Sequence, residues 1–312
     1  MAENFYQQNL SQRVQQADLT AWLVLNDRCN WKCTHCYFPS HSQARKPEEA
    51  LAVAQSFVNQ GITVVPAAGE VLLEEEYLAV YSAVNAKHIL SNGLRLASKD
   101  GSRIARKIKE AGIEQVGFTL HEGDEFNILH GVSPEIVAKA VETVKTAGLT
   151  PTATAVITNA NIDRLPQICQ LALDIGIDAI RFNRLIPTEP KLRFLTPTPD
   201  QTKQFFDLLE KVRKIFPKEV LKIYASGLFG KEGRHKNFPP DYHFCLAGRK
   251  IVAIGLDNQV YPCLMLMDPK YSIGQIDPKN GKITINNNPF QQNQYGKNEC
   301  AAYQLLYLGN SQ

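Results

Sequence analysis

The sequence lacks the features that would assign it to a membrane, an export route or a nucleic acid. No apolar run in its 312 residues approaches the roughly 20 residues needed to span a bilayer. Residues 1–18 are polar and rich in glutamine, without the apolar core of a secretory signal. The net charge of +3 is too small to indicate a nucleic-acid partner. We therefore expect a cytoplasmic protein without a membrane or nucleic-acid partner.

Cysteine is present in an odd number, seven residues, without an export signal. This combination favours a reducing compartment and metal or redox chemistry over disulfides. Cys29, Cys33 and Cys36 lie in one short stretch with the spacing C-x3-C-x2-C, directly after a strand-like apolar run. Cysteine thiolates hold iron–sulfur clusters. Three of them on one tight loop would leave one corner of a cubane open for a substrate or cosubstrate.

This stretch resembles the cluster loop of radical S-adenosylmethionine (radical SAM) enzymes. The resemblance implies that Cys29, Cys33 and Cys36 hold a [4Fe-4S] cluster, whose fourth iron chelates the methionine part of SAM. It also implies that one electron from the cluster cleaves SAM, which yields a 5′-deoxyadenosyl radical that abstracts a hydrogen atom. The alternative is a zinc site, which would need His35 or a distant group as its fourth ligand.

Strand-like and helix-like segments alternate six times between residues 21 and 216. This alternation predicts an α/β fold of parallel βα units, although it cannot show whether the sheet closes. The resemblance implies an open, partial (β/α)6 radical SAM barrel with its active site in the C-terminal mouth. We predict a lead-in over residues 1–20, the barrel over 21–216 and a small C-terminal domain over 217–312.

Motifs at the predicted strand ends are similar to those with which the family contacts SAM. Gly69-Glu70 matches part of a Gly-Gly-Glu motif, with Ala68 in place of the first glycine. Asn92 begins an Asn-Gly turn, which on its own marks only a turn with positive φ. Thr119 stands where the family has a serine that contacts the SAM ribose.

The end of the sixth predicted strand closely resembles a segment of radical SAM enzymes that modify peptides. It reads Arg-Phe-Asn-Arg-Leu-Ile-Pro. The guanidinium of Arg184 suits bidentate binding of a carboxylate, and a purely structural role is the alternative. The resemblance implies SAM contacts at the following residues: Tyr37, Gly69, Glu70, Asn92, Thr119, Asn183 and Arg184.

Two histidines are candidate catalytic residues that face the substrate. His121 lies in a run similar to the family's Ser-Leu-Asp-Gly, and His130 replaces the arginine of the Asp-x-x-Arg-Gly that follows. Histidine is the side chain most easily tuned to acid–base work near neutral pH. The alternative is that both are ordinary loop histidines.

A second set of cysteines lies near the C-terminus. Cys245 and Cys263 flank a predicted hairpin whose turn contains Asn258, and Cys300 follows later. The pattern resembles a truncated SPASM/twitch extension, which implies one auxiliary [4Fe-4S] cluster held by these three cysteines. The alternative is that they are structural thiols. Cys169, the remaining cysteine, is predicted to be a small buried side chain in a helix.

Taken together, the resemblances imply a maturase of a ribosomally synthesised peptide. Our best interpretation is a splicease, which excises a tyrosine-derived unit and leaves a β-amino acid. Epimerases commonly need a cysteine thiol as hydrogen donor, and only Cys169 is left for that role. Cross-linking enzymes, which form thioether or carbon–carbon bonds, often carry a fuller SPASM domain.

The implied partners are a precursor peptide and an electron donor such as flavodoxin or ferredoxin. Such enzymes often work with a small leader-peptide-binding protein. The other functions that remain open are a sulfatase-maturing enzyme, a radical SAM enzyme of cofactor biosynthesis, and a non-catalytic zinc or iron–sulfur binding module.

The metal content separates the enzyme from the zinc module. We expect about seven to eight iron atoms per chain for two cubanes after anaerobic purification. A structural zinc protein would instead carry about one or two zinc ions. The measurement is elemental analysis by plasma mass spectrometry, and zinc without iron would contradict the radical SAM interpretation.

Overall fold

The computed structural model describes residues 19–38, 41–123, 129, 131–229, 245–286, 288–292 and 299–309. These residues group into two compact units. The first unit comprises the described residues within 1–29, 37–86 and 246–297, and the second those within 30–36, 87–245 and 298–312. This grouping differs from the predicted domain boundaries, because part of the C-terminal region belongs with the beginning of the chain.

The strands and helices follow the predicted alternation through the sixth strand. The strands are β1 (Thr20–Asn26), β2 (Thr63–Ala68), β3 (His88–Leu90), β4 (Gln115–Thr119), β5 (Thr150–Ile157), β6 (Ala179–Arg184), β7 (Lys222–Ala225), β8 (Ile251–Ile254), β9 (Gln259–Tyr261), β10 (Gly274–Ile276) and β11 (Ile283–Ile285). The helices are α1 (Pro47–Asn59), α2 (Leu78–Ala83), α3 (Gly101–Glu110), α4 (Pro134–Thr146), α5 (Leu165–Asp174), α6 (Pro199–Ile215) and α7 (Ala301–Tyr303).

The first unit contains a six-stranded sheet in the order β11-β10-β9-β8-β1-β2. β1 pairs in parallel with β2 on one side and with β8 on the other. Its side chains Ala21, Leu23 and Leu25 are fully buried, as is typical of a strand covered on both faces. The predicted hairpin of the C-terminal region is therefore part of the sheet that carries the three-cysteine loop.

The second unit contains a five-stranded sheet in the order β3-β4-β5-β6-β7, in which every neighbouring pair is parallel. A helix lies between each strand and the next along the chain, as parallel pairing requires. The carboxyl ends of these strands lie at one edge of the sheet. β7 was not expected from the sequence. Across the part of the chain that the structure describes, no helix is long and apolar enough to cross a bilayer.

A buried arginine holds the β8–β9 turn within the first unit. Arg45 donates hydrogen bonds to Asn258 Oδ1 at 2.7 Å and to the buried carbonyl of Gly255 at 2.9 Å. Asn258 has a φ of +61°, which its short amide side chain tolerates. Tyr77 donates from its hydroxyl to the carbonyls of Leu25 and Arg45. These bonds join the hairpin to the segment that follows β1.

We expect Arg45→Met to destabilise the protein. The change removes two hydrogen bonds and leaves the buried Gly255 carbonyl without its donor, which costs about 1–3 kcal/mol. The measurement is urea unfolding followed by circular dichroism. Lys46→Met is the matched control, because the Lys46 side chain is 72% exposed. Equal unfolding midpoints for the two variants would contradict the role assigned to Arg45.

Candidate active site

The three-cysteine loop follows β1 and contributes to both units. Cys29 belongs to the first unit, and Cys33 and Cys36 belong to the second. All three side chains are partly exposed, and the backbone N–H of Cys36 donates to the Cys33 carbonyl at 3.2 Å in a tight turn. Three partly exposed thiols on one short loop are the donor chemistry that an iron–sulfur cluster uses.

The described residues do not form the ligand set of a structural zinc site. Among them, no group of three or more His, Cys, Asp or Glu side chains is placed to hold a single metal ion. Structural zinc needs four ligands that converge on one point. A cubane takes one thiolate per iron, so its ligands need not converge in this way.

The end of β2 packs against the start of the cysteine loop without room for a side chain. Gly69 donates its N–H to the Asn26 carbonyl at 3.0 Å, and the Glu70 N–H donates to the Arg28 carbonyl at 2.8 Å. A Cβ atom on Gly69 would lie 2.5 Å from the Arg28 carbonyl oxygen. Only glycine fits this contact, which fixes the backbone immediately before Cys29.

Glu70 and Tyr37, two further predicted SAM contacts, lie within the first unit. Glu70 is buried and accepts a hydrogen bond from the Leu72 N–H at 3.0 Å. Burial raises the pKa of the Tyr81 hydroxyl, and the nearby Glu70 and Tyr37 raise it further. Three polar side chains therefore influence one another close to the end of β2.

Predicted SAM contacts in the second unit follow the carboxyl ends of its parallel strands. Asn92 comes after β3, Thr119 ends β4, and Asn183 lies near the end of β6. Asn92 accepts from the Leu94 N–H at 3.0 Å and donates to Asn30 Oδ1 at 2.8 Å. Asn92 therefore connects the cysteine loop to the end of β3.

A pair of histidines lies at the same edge of the second sheet. The rings of His35 and His121 meet edge to face, with centroids 5.4 Å apart. A Cβ atom on Gly131 would overlap the His121 ring, so the glycine allows the ring its position. Burial, together with the smaller effect of the nearby His121, lowers the pKa of His35 to about 3. His35 is therefore a neutral ring within the loop.

From the sequence, His35 was a candidate only as a zinc ligand, and its contact with His121 was not expected. The signal in the sequence was the position of His35 between Cys33 and Cys36. In the structure, the Thr34 N–H of the same loop donates to the carbonyl of Leu129 at 2.9 Å. His130, the other candidate catalytic residue, lies outside the described residues.

The guanidinium of Arg184 forms an ion pair with a carboxylate of the chain itself. Its fully buried guanidinium pairs with Glu299 through Nη2–Oε1 at 2.5 Å and Nη1–Oε2 at 3.3 Å. The guanidinium also lies over the Tyr303 ring, 3.5 Å from its centroid. The bidentate site that the sequence assigned to the SAM carboxylate is thus filled by Glu299, a residue the sequence analysis did not single out.

The remaining cysteines differ in exposure. Cys245 and Cys263 are partly exposed, and Cys300 is buried immediately before α7. Cys169 is fully buried in α5, and burial raises its pKa to about 12. Its thiol is therefore protonated and inaccessible, as predicted for a small buried side chain.

Sequence comparisons match this chain to a family model and to proteins of several activities. A sequence model of the Radical SAM superfamily matches residues 23–172. A probable GTP 3′,8-cyclase of Sulfurisphaera tokodaii is 26% identical over 285 residues, which cover 81% of this chain and 83% of that protein. The pre-heme d1 synthase of Dinoroseobacter shibae is 26% identical over 174 residues, which cover 52% of this chain and 42% of that protein.

Solved structures share the fold at low sequence identity. Streptococcus suis SuiB bound to precursor peptide SuiA superposes with a TM-score of 0.61 at 16% identity over 79% of this chain, which spans 60% of SuiB. The anSMEcpe protein with bound AdoMet superposes with a TM-score of 0.62 at 14% identity, covering 93% of this chain and 95% of that one. The predicted α/β fold of parallel βα units is confirmed.

We expect Gly69→Ala to disturb the cysteine loop. The added methyl group would press on the Arg28 carbonyl at a cost of about 1–3 kcal/mol. If that strain moves the loop, SAM affinity should fall by about tenfold. The measurement is equilibrium dialysis of SAM with the anaerobically reconstituted protein.

Gly112→Ala is the matched control for this variant. Gly112 has a φ of +81°, but a Cβ atom there would meet nothing within 4 Å. Its substitution should strain the backbone without changing SAM affinity. Unchanged SAM affinity in folded Gly69→Ala would contradict the role assigned to Gly69.

Proposed function

We propose that this protein is a radical SAM enzyme that modifies a ribosomally synthesised precursor peptide. The match of residues 23–172 to the Radical SAM superfamily model supports the proposal. The observation that carries the proposal is the shared fold with two enzymes solved with peptides, SuiB with SuiA and anSMEcpe with AdoMet and the Cp18Cys peptide. The chain spans only 60% of SuiB, so the peptide substrate is our proposal for this protein.

In this proposal Cys29, Cys33 and Cys36 bind the SAM-binding [4Fe-4S] cluster. When bound, the cluster and SAM supply a 5′-deoxyadenosyl radical that abstracts a hydrogen atom. The chain contributes contacts to SAM from the ends of its parallel strands, which orient the cofactor and exclude water. We assign these contacts to Tyr37, Gly69, Glu70, Asn92, Thr119 and Asn183.

His121 is our candidate for a residue that faces the substrate. Its side chain is buried at the carboxyl edge of the second sheet and lies against His35 of the cysteine loop. An imidazole there can donate or accept a hydrogen bond to a polar group of the peptide. His130 stays a prediction from the sequence.

Within peptide modification we propose the splicease reaction, excision of a tyrosine-derived unit. The burial and raised pKa of Cys169 support the choice, because an epimerase would need an accessible thiol to return a hydrogen atom. From the sequence, Cys245, Cys263 and Cys300 are the proposed ligands of one auxiliary [4Fe-4S] cluster. A flavodoxin or ferredoxin would supply the electron, and a small leader-peptide-binding protein would present the peptide.

A nucleotide substrate is the second candidate. It is favoured by the match to the probable GTP 3′,8-cyclase, which extends over 83% of that protein. A nucleotide cyclase would turn over GTP without any peptide. Incubation of the reduced enzyme with SAM and GTP, followed by chromatography, therefore separates the two candidates.

We expect a co-expressed precursor peptide to lose a residue-sized fragment under anaerobic conditions. The measurement is its mass in ordinary and in deuterated water. Cys169→Ala should process the peptide like the wild type, because the buried thiol takes no part. Cys33→Ala should leave the peptide unchanged, because the cluster lacks a ligand.

Other changes in the mass of the precursor peptide would indicate a different reaction and contradict the splicease assignment. A deficit of two hydrogen atoms would indicate cross-linking, and uptake of deuterium alone would indicate epimerisation. Loss of deuterium uptake in Cys169→Ala would further show that this thiol is the hydrogen donor. Turnover of GTP with an untouched peptide would overturn the peptide substrate.

A further inference from the structure

We propose that Arg184 is a positioning residue for Cys300 and does not bind the SAM carboxylate. This proposal rests on the proposed function in one respect, since it assumes that Cys300 is a ligand of the auxiliary cluster. The contacts that carry it join the end of β6 to residues 299–303, and they all lie within the second unit.

The ion pair between Arg184 and Glu299 is the first of these contacts. The Arg184 side chain is fully buried, and the Glu299 side chain is 24% exposed. Both terminal guanidinium nitrogens face the two carboxylate oxygens. A buried charge is costly unless it is paired, so the arginine requires a carboxylate at this place.

Glu299 transmits this constraint to the backbone of Cys300. The Cys300 N–H donates to Glu299 Oε1 at 2.8 Å, the same oxygen that Arg184 Nη2 contacts. The position of the cysteine backbone is therefore coupled to the guanidinium at the end of β6.

Tyr303, three positions after Cys300, is also fixed by contacts. The Arg184 guanidinium stacks on the ring of Tyr303 at 3.5 Å, and the Tyr303 hydroxyl donates to the Pro197 carbonyl at 2.9 Å. Stacking of arginine on an aromatic face is itself stabilising. Cys300 thus lies between two residues that both contact Arg184.

The same geometry argues against Arg184 as a cofactor ligand. A carboxylate from SAM could form the bidentate pair only by expelling Glu299, and that would release the Cys300 N–H. Arg184 Nε has no hydrogen-bond partner among the described residues, but a single donor cannot make the bidentate pair. We therefore assign the guanidinium to Glu299.

The test uses the full-length, anaerobically purified enzyme in three variants. Arg184→Gln and Glu299→Gln each remove the charge pair, and Arg184→Lys keeps the charge but loses the planar fork. Arg193→Gln is the matched control, because Arg193 holds the same C-terminal segment through the Tyr307 carbonyl at 2.6 Å. If Arg184→Gln fails to fold, Glu299→Gln carries the test alone.

We expect hydrogen exchange in a peptide that covers residues 299–303 to become about tenfold faster in Arg184→Gln and Glu299→Gln. Arg184→Lys should lie between these variants and the wild type, and Arg193→Gln should leave this peptide unchanged. The Kd for SAM should stay at its wild-type value in all of them. The electron paramagnetic resonance spectrum of the auxiliary cluster should change only in the Arg184 and Glu299 variants.

The proposal is overturned if exchange in this peptide is unchanged in Arg184→Gln and Glu299→Gln. It is also overturned if Arg184→Gln weakens SAM binding and Glu299→Gln does not, since Arg184 would then bind the cofactor. Failure of the proposed auxiliary cluster is distinguishable, because the wild type would then contain about four iron atoms. The exchange comparison tests the coupling of Arg184 to the Cys300 backbone through Glu299 in either case.

Discussion

The close backbone contact between the end of β2 and the start of the cysteine loop is the constraint on which the candidate site depends. Gly69 approaches the carbonyl of Arg28 more closely than any residue with a Cβ atom could. β1, which leads into the loop, is held in the sheet between β2 and β8. Ligands on rigid elements are positioned more precisely than ligands on free loops. The fold therefore defines the place of Cys29 before any cluster binds.

Within the second unit, polar side chains are paired where the parallel strands end. Asn92 contacts Asn30 of the cysteine loop, and His121 packs against His35. Arg184, a fully buried side chain, contacts Glu299. The polar partners of Asn92 and Arg184 thus lie on the cysteine loop and in the C-terminal segment that carries Cys300. The chemistry-bearing cysteines and the sheet edge are thus joined by specific contacts.

Local patterns made the α/β fold predictable, because alternating strand-like and helix-like segments indicate parallel βα units. Distant pairings left no local signal in the sequence. Arg184 and Glu299 are 115 residues apart, and Arg45 and Asn258 are 213 apart. The parallel pairing of β8 with β1 likewise joins the two ends of the chain. Such contacts depend on tertiary packing, which periodicity and motif spacing do not encode.

Reductive cleavage of SAM tests the central claim most directly. The reduced, anaerobically reconstituted wild-type protein is incubated with SAM, and 5′-deoxyadenosine is measured by liquid chromatography and mass spectrometry. A cluster held by the three-cysteine loop predicts 5′-deoxyadenosine from the wild type and from Cys169→Ala, and none from Cys36→Ala. Absence of the product from an iron-loaded wild type, or equal amounts from Cys36→Ala, would contradict the account.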